Sequence, residues 1–174
     1  MTLAPSPGQT VGPFFHYALP YDADRHLVAP GTPGSISLHG HVYDGAGAPV
    51  PDALLELWQP DPDGKPVQQP GSLRRDGDAF TGWGRCATDA AGRYEFTTLV
   101  PGAPFFAVAV FARGLLNRLF TRAYLPSAAD DPFLRSVPVD RRTTLLATDD
   151  GGGFRFDVHL QGARETVFLR YPRH

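Results

Sequence analysis

The stretch from Pro101 to Gly114, P-G-A-P-F-F-A-V-A-V-F-A-R-G, is the most informative part of this sequence. It begins with a Pro-Gly turn and ends at Arg113-Gly114, and every residue from Phe105 to Ala112 is apolar. A short apolar run that is rich in Val and Phe and bounded by turn residues is typical of a strand buried on both faces. The run itself contains no His, Tyr, Asp, Glu, Cys or Ser.

On either side of this run, other short apolar or alternating segments are separated by turns. The chain has 19 Gly and 18 Pro among 174 residues, and most of them fall between these segments. Such spacing predicts an all-β domain, a β-sandwich of about eight strands with long loops. The predicted strands are 35–43, 53–59, 82–88, 93–99, 105–113, 116–125, 154–160 and 166–169. One or two helical turns are predicted over 139–147, with Asp140 as the N-cap.

The first 34 residues differ from the rest of the chain. Their six prolines exclude long helices and central strands. The same segment carries Phe14, Phe15, Tyr17 and Tyr21, which a solvated tail rarely does. We therefore expect an irregular N-terminal arm over residues 1–34 that lies across another surface, and a single sandwich domain over residues 35–174.

Charge and composition exclude several classes of protein. The net charge of −2 argues against nucleic acid as a partner. The lone Cys86 cannot form an internal disulfide, which favours a reducing compartment and a small buried thiol. The N-terminus lacks the charged and apolar regions of a signal peptide, and no apolar run approaches the ~18 residues of a membrane span. We expect a soluble cytoplasmic protein without a membrane partner.

Few residues qualify as a self-contained catalytic or metal site. His39 and His41 share one face of a predicted strand and are two possible ligands for a metal, although no third ligand is apparent. Paired aspartates occur only in turns, where solvated side chains are expected. Arg113 directly follows the most apolar strand, where a guanidinium can bind a carboxylate or an aromatic ring.

Three longer stretches together resemble the intradiol ring-cleavage dioxygenases. The first, Ser37–Gln59, resembles the G-x-V-x-D-x-x-G-x-P-V…A-x-x-E-x-W-Q signature of that family. The second, Gly82–Gly102, resembles the T-D-x-x-G-x-Y-x-F-x-T-x-x-P-G segment, and the third, Phe154–Gly162, the closing R-F-D-I-x-L-x-G strand. The resemblance implies a prealbumin/transthyretin-like β-sandwich and O2-dependent cleavage of catechols in aromatic catabolism.

The same resemblance implies that this chain holds no metal. Catalytic chains of the family bind a non-haem ferric iron through two tyrosines and two histidines. Here Ala103-Pro104 follows the Pro101-Gly102 turn where the first tyrosine is expected, and the two histidine positions correspond to Phe105 and Ala107. Phe and Ala have no atom that can bind Fe(III). The resemblance implies that the Fe(III) of the enzyme is held by a partner chain.

Three further stretches, Gly8–Phe15, Phe111–Gly114 and Gln161–Phe168, resemble the non-catalytic chains of the family. This similarity implies a hetero-oligomer with a catalytic partner chain, in which this chain lines the entrance of the partner's site for a carboxylated catechol and O2. No residue of this chain is expected to be catalytic. The residues that the resemblance assigns to substrate binding are Thr10, Gly12, Pro13, Phe14 and Arg113.

Two other functions fit the same sequence. A stand-alone transthyretin-like module that binds a small molecule also needs no iron ligands, but it has no need of the T-V-G-P-F-F arm. An enzyme with a metal at His39 and His41 is the other possibility. The isolated chain distinguishes these functions from that of a subunit. A stable monomer or homodimer favours a carrier, instability without a partner favours a subunit, and tight metal binding indicates a metalloenzyme.

Overall fold

Two β-sheets pack face to face. The computed structural model describes residues 8–12, 14–67, 79–128 and 131–171, and nine strands lie within these ranges. The strands are β1 (Ile36–Tyr43), β2 (Leu54–Trp58), β3 (Trp83–Ala87), β4 (Arg93–Thr98), β5 (Phe105–Phe111), β6 (Leu119–Tyr124), β7 (Thr148–Asp149), β8 (Gly153–Arg155) and β9 (Val158–His159). The predicted all-β sandwich is confirmed.

The first sheet has the order β4-β1-β8-β7, with β9 also pairing with β1, and the second has the order β3-β2-β5-β6. β1 is antiparallel to β4 and parallel to β8 and β9. The second sheet is antiparallel throughout. The most apolar strand, β5, therefore has a neighbour on each side, as its sequence predicts.

The core lies between the two sheets. From β1 and β4 it receives Leu38, Val42, Tyr94 and Phe96, and from β2 and β5 it receives Leu55, Leu57, Phe106, Val108 and Val110. The alternate residues of β5 point to the opposite face of its sheet. There Phe105, Ala107 and Phe111 are only half-buried. The prediction that β5 is buried on both faces is therefore wrong for its outer face.

The predicted strand 154–160 is divided into β8 and β9. The register is the same on both sides of the break, since Leu38 lies opposite Phe154 and Val42 lies opposite Val158. At the break the Asp157 carboxylate accepts the backbone N–H of His41 at 3.0 Å. A side chain thus takes the place of a backbone carbonyl in the ladder, which ends regular pairing for two residues.

The predicted strand 166–169 is also wrong, and side chains take part in the hydrogen bonds of this segment beside backbone groups. Thr166 Oγ1 accepts from the His159 N–H at 3.0 Å, and Thr144 Oγ1 accepts from the Val167 N–H at 3.2 Å. What remains of the strand is an isolated bridge between Leu169 and Phe120.

Three short α-helices lie in the described ranges: α1 (Phe15–Ala18), α2 (Pro132–Ser136) and α3 (Val139–Arg142). A 3-10 turn over Thr143–Leu145 continues α3, so the predicted helical turns are present. The predicted cap is wrong: Asp140 lies inside the first turn and Pro138 occupies the N-cap. None of these helices is long and apolar enough to cross a membrane.

Part of the predicted arm is packed into the sandwich. Leu27 is fully buried in the core, and its N–H donates to the Thr97 carbonyl of β4 at 2.8 Å. The Asp24 carbonyl accepts the N–H of Arg85 in β3 at 2.8 Å. These bonds attach residues 24–27 to both sheets, so the arm before residue 24 starts from a segment that is held in the sandwich.

We expect the buried hydroxyl group of Tyr94 to contribute measurably to the free energy of unfolding. Tyr94 is buried and donates to the Phe156 carbonyl at 2.5 Å, and burial raises the pKa of this tyrosine well above its usual value. Because Tyr94→Phe leaves that carbonyl without this partner, we expect a loss of about 1–3 kcal/mol in the free energy of unfolding. Urea unfolding of the chain measures it. The exposed Tyr171, changed to Phe, is the control and should lose less than about 0.5 kcal/mol.

Candidate functional site

A sharp corner follows β5 and joins two of the predicted binding residues. Arg113 and Gly114 form the turn, and Gly114 has φ +88, a left-handed conformation that glycine adopts without strain. The Gly114 N–H donates to Thr10 Oγ1 at 2.8 Å. The N-terminal arm is thereby attached to the end of β5, and Thr10 lies beside Arg113.

The same corner contains a residue that the sequence analysis did not identify. Arg113 Nε forms an ion pair with Asp52 Oδ2. The Asp52 side chain is 11% exposed and that of Arg113 is 57% exposed, so a buried carboxylate holds an accessible guanidinium. The sequence predicts Arg113 as a cation at the end of a strand, but it does not predict Asp52 as the partner. The only available signal was the position of Asp52 just before β2.

The remaining predicted binding residues lie on the arm and are exposed. A Cβ at Gly12 would have nothing within 4 Å. Phe14 is 71% exposed, and its ring lies 6.4 Å from that of Tyr17, which is also exposed. Pro13 lies outside the described residues. The structure therefore brings Thr10 and Arg113 together and leaves Gly12 and Phe14 on an open, partly aromatic surface.

Phe105 and Ala107, the two positions that correspond to iron-binding histidines, lie at the other end of β5. Their side chains share its outer face with Ala109. They line a groove of about 250 Å³. The other residues of this groove are largely apolar: Trp58, Val108, Ala109, Phe120, Thr121, Arg122, Leu169 and Tyr171. We call this the β5 groove.

At the Phe105 end of the groove, the polar groups are bonded to one another. The Arg122 guanidinium lies 4.1 Å from the centre of the Phe105 ring, and its Nη1 donates to the Tyr124 hydroxyl at 3.0 Å. That hydroxyl donates in turn to Asp131 Oδ1 at 2.6 Å. Burial, followed by the bond to Asp131, raises the pKa of Tyr124 to about 12. Tyr124 therefore stays protonated at neutral pH.

These residues do not fit the non-haem iron that the family implies. Phe105 and Ala107 have no donor atom, and Tyr124 is a protonated phenol whose hydroxyl is committed to Asp131. Across the described ranges there is no group of three or more His, Cys, Asp or Glu side chains that could hold a metal.

His39 and His41, the other candidate metal ligands, have carboxylate partners. His39 Nε2 lies 3.0 Å from Asp150 Oδ2, and His41 Nδ1 lies 3.7 Å from Asp157 Oδ1. The Ser37 hydroxyl, which lies 3.4 Å from His39 Nδ1, donates to Glu95 at 2.9 Å. On this face of β1 each of the two histidines therefore lies beside a carboxylate.

Comparison with known proteins identifies the family. A family model described as "Dioxygenase" matches residues 10–128. The protocatechuate 3,4-dioxygenase alpha chain of Burkholderia cepacia is 39% identical, over 97% of this chain and 98% of the relative. The beta chain named for the same enzyme in that organism is 32% identical, over 87% of this chain and 76% of the relative.

A solved structure supports the same assignment. It is the dioxygenase domain of a dioxygenase carbohydrate-binding protein fusion from Streptomyces sp. SirexAA-E, which superposes with a TM-score of 0.57 at 28% identity. The superposition covers 92% of this chain and all of that domain. The family match, the two named relatives and the shared sandwich agree with the sequence motifs: this chain belongs to the dioxygenase family of intradiol ring-cleaving enzymes.

Proposed function

We propose that this chain is the non-catalytic alpha subunit of a protocatechuate 3,4-dioxygenase. In that reaction O2 cleaves the ring of protocatechuate between its two hydroxylated carbons, and both oxygen atoms enter the product, 3-carboxy-cis,cis-muconate. The observation that carries the proposal is the similarity to an alpha chain, which extends over 97% of this chain and is higher than that to the beta chain of the same organism. The proposed partner is the catalytic beta subunit, and the proposed location is the cytoplasm.

In this proposal the beta subunit holds the ferric iron, which supplies the activation of the catechol. The support from this chain is chemical, because Phe105 and Ala107 offer no ligand atom and Tyr124 stays protonated. The β5 groove is lined mainly by apolar side chains. The proposed role of this chain is to bind and orient the substrate of the beta subunit through residues outside this groove.

Distance along β5 separates Arg113 from the Phe105 end of the β5 groove. Phe105 and Phe111 are the two ends of β5, and a strand rises about 3.3 Å per residue, so they are about 20 Å apart. Arg113 lies beyond Phe111. An arginine side chain is too short to span that length, so Arg113 cannot serve a ligand at the Phe105 end of the groove. We propose that Arg113 instead faces a site in the partner subunit.

The roles we propose for this chain's residues follow from their exposure and chemistry. Arg113 binds the carboxylate of protocatechuate, since a guanidinium matches a carboxylate with two parallel hydrogen bonds. Thr10, Gly12, Pro13 and Phe14 form one wall of the substrate entrance. The bond from Gly114 to Thr10 holds the start of this wall beside Arg113. The open space at Gly12 leaves room for a ring to approach the backbone.

Expression with and without the partner tests the proposed function. We expect the chain alone to contain no iron, to lack the colour of an iron-tyrosinate complex and to leave protocatechuate intact. Co-expression with the beta chain should give a complex that co-purifies and cleaves protocatechuate. Metal analysis, visible spectroscopy and O2 uptake measure the three properties.

Two results would contradict this proposal. One is iron-dependent ring cleavage by the isolated chain. The other is a stable stand-alone monomer that binds small molecules and does not associate with the beta chain, which would favour a transthyretin-like module. The variant His39→Ala tests the alternative of a metal site at His39 and His41. If that site existed, the isolated chain would bind a metal tightly and this variant would not.

A further inference from the structure

The register of the second sheet brings Asp52 and Arg113 together. β2 and β5 are antiparallel, and Leu54 at the start of β2 lies opposite Phe111 at the end of β5. Asp52 is two residues before Leu54, and Arg113 is two residues after Phe111. Continuing the register by two residues places Asp52 opposite Arg113. The ion pair between them is therefore a consequence of how the two central strands are aligned.

The pair leaves part of the guanidinium available. Arg113 contacts Asp52 through Nε, and within the described ranges no further partner of the guanidinium is found. The other edge of a guanidinium carries Nη1 and Nη2, whose N–H groups can bind both oxygens of a carboxylate. With 57% of the side chain exposed, this edge is accessible from outside the chain.

Asp52 is buried, and this restricts the orientation of the Arg113 side chain. The Asp52 side chain is 11% exposed. A buried carboxylate without a counter-charge is costly, so Asp52 favours the arginine rotamer that keeps Nε against it. An exposed arginine without such a partner would sample many rotamers and lose that freedom on binding a ligand.

We propose that Asp52 is a positioning residue: it holds the Arg113 guanidinium so that Nη1 and Nη2 face the carboxylate of the substrate. This inference rests on the proposed function, because it takes the ligand of Arg113 to be the carboxylated catechol. Asp52 itself does not touch the substrate.

A second effect of Asp52 is electrostatic and acts in the opposite direction. The carboxylate cancels much of the long-range field of Arg113, so removing its charge strengthens the attraction of an anionic substrate. If Asp52 only neutralised Arg113, Asp52→Asn would lower KM for protocatechuate. Positioning predicts that KM rises, and the sign of the change distinguishes the two roles.

The experiment measures steady-state kinetics of the alpha–beta complex carrying Asp52→Asn. We expect KM for protocatechuate to rise by a factor of up to about ten, which corresponds to the rotamer freedom that an unheld arginine loses when it binds a ligand. We expect kcat for protocatechuate, and kcat/KM for unsubstituted catechol, to change little. Asp52→Glu keeps the charge but lengthens the side chain by one methylene, so it should also raise KM, by a smaller factor.

A matched control and a double variant complete the test. In a second aspartate–arginine pair, Asp157 Oδ2 lies 2.7 Å from Arg155 Nη2, with the side chains 25% and 52% exposed. Asp157 also accepts the His41 N–H through Oδ1, a bond that the amide oxygen of Asn can keep. Asp157→Asn should leave KM unchanged. Because positioning acts through Arg113, Asp52→Asn should add no further effect in an Arg113→Ala background.

The outcomes separate the inference from the proposed function. A KM for protocatechuate that falls or stays constant in Asp52→Asn, or an additional loss in the Arg113→Ala background, overturns the positioning role alone. A complex that does not cleave protocatechuate overturns the proposed function. If Arg113→Ala has no effect on substrate preference, both the proposed role of Arg113 and the positioning role of Asp52 are wrong.

Discussion

Replacing Arg113 with alanine in the alpha–beta complex should remove most of its preference for protocatechuate over catechol. A hydrogen bond between charged groups contributes about 1.5–3 kcal/mol. Its loss lowers kcat/KM for the carboxylated substrate by about 10- to 100-fold. Catechol has no carboxylate, so its kcat/KM should stay the same. The measured quantity is the ratio of kcat/KM for the two substrates.

The control for this variant is Arg155→Ala. Arg155 is nearly as exposed as Arg113 and is also paired with an aspartate, but it lies in β8 of the other sheet. Its loss should leave the ratio unchanged. If Arg113→Ala lowers kcat/KM equally for both substrates, Arg113 has a general structural role and does not bind the carboxylate.

A large effect on stability is expected for Gly40→Ala. Gly40 lies in the middle of β1 and faces the core, where a Cβ would be 1.9 Å from the Phe156 carbonyl oxygen and 3.2 Å from the Tyr94 hydroxyl. The obstacle at 1.9 Å is backbone, so relief requires β1 to move away from the chain segment between β8 and β9. We expect a loss of at least about 3 kcal/mol in the free energy of unfolding.

Chemical denaturation of the complex and of the free chain measures the effect of Gly40→Ala. Gly152→Ala is the matched control, because a Cβ there meets nothing within 4 Å, and it should change stability by less than about 0.5 kcal/mol. Equal stability of the two variants would mean that the first sheet tolerates a side chain at Gly40, and the close packing of Gly40 against Phe156 would be disproved.

Much of the fold could be predicted from local sequence. The alternation of Ile36, Leu38 and Val42 predicts β1, and the apolar run after Pro104 predicts β5, because burial of one face or both imposes these patterns. The errors occur where side chains replace backbone partners. Asp157 interrupts the strand at 154–160, and in the segment 166–169 the Thr166 hydroxyl accepts the His159 N–H in place of a backbone carbonyl. Whether a side chain replaces a backbone hydrogen-bond partner depends on which residue lies opposite in the neighbouring segment. The periodicity of the sequence carries no information about that.

In the candidate site, too, some features follow from the sequence and others only from the tertiary structure. That Phe105 and Ala107 cannot bind a metal is a property of their side chains, so the sequence by itself determines it. That Arg113 has a buried partner depends on the register between β2 and β5, which joins residues far apart in the chain. Only the tertiary structure decides this pairing, because antiparallel alignment fixes which residues beyond the strand ends meet.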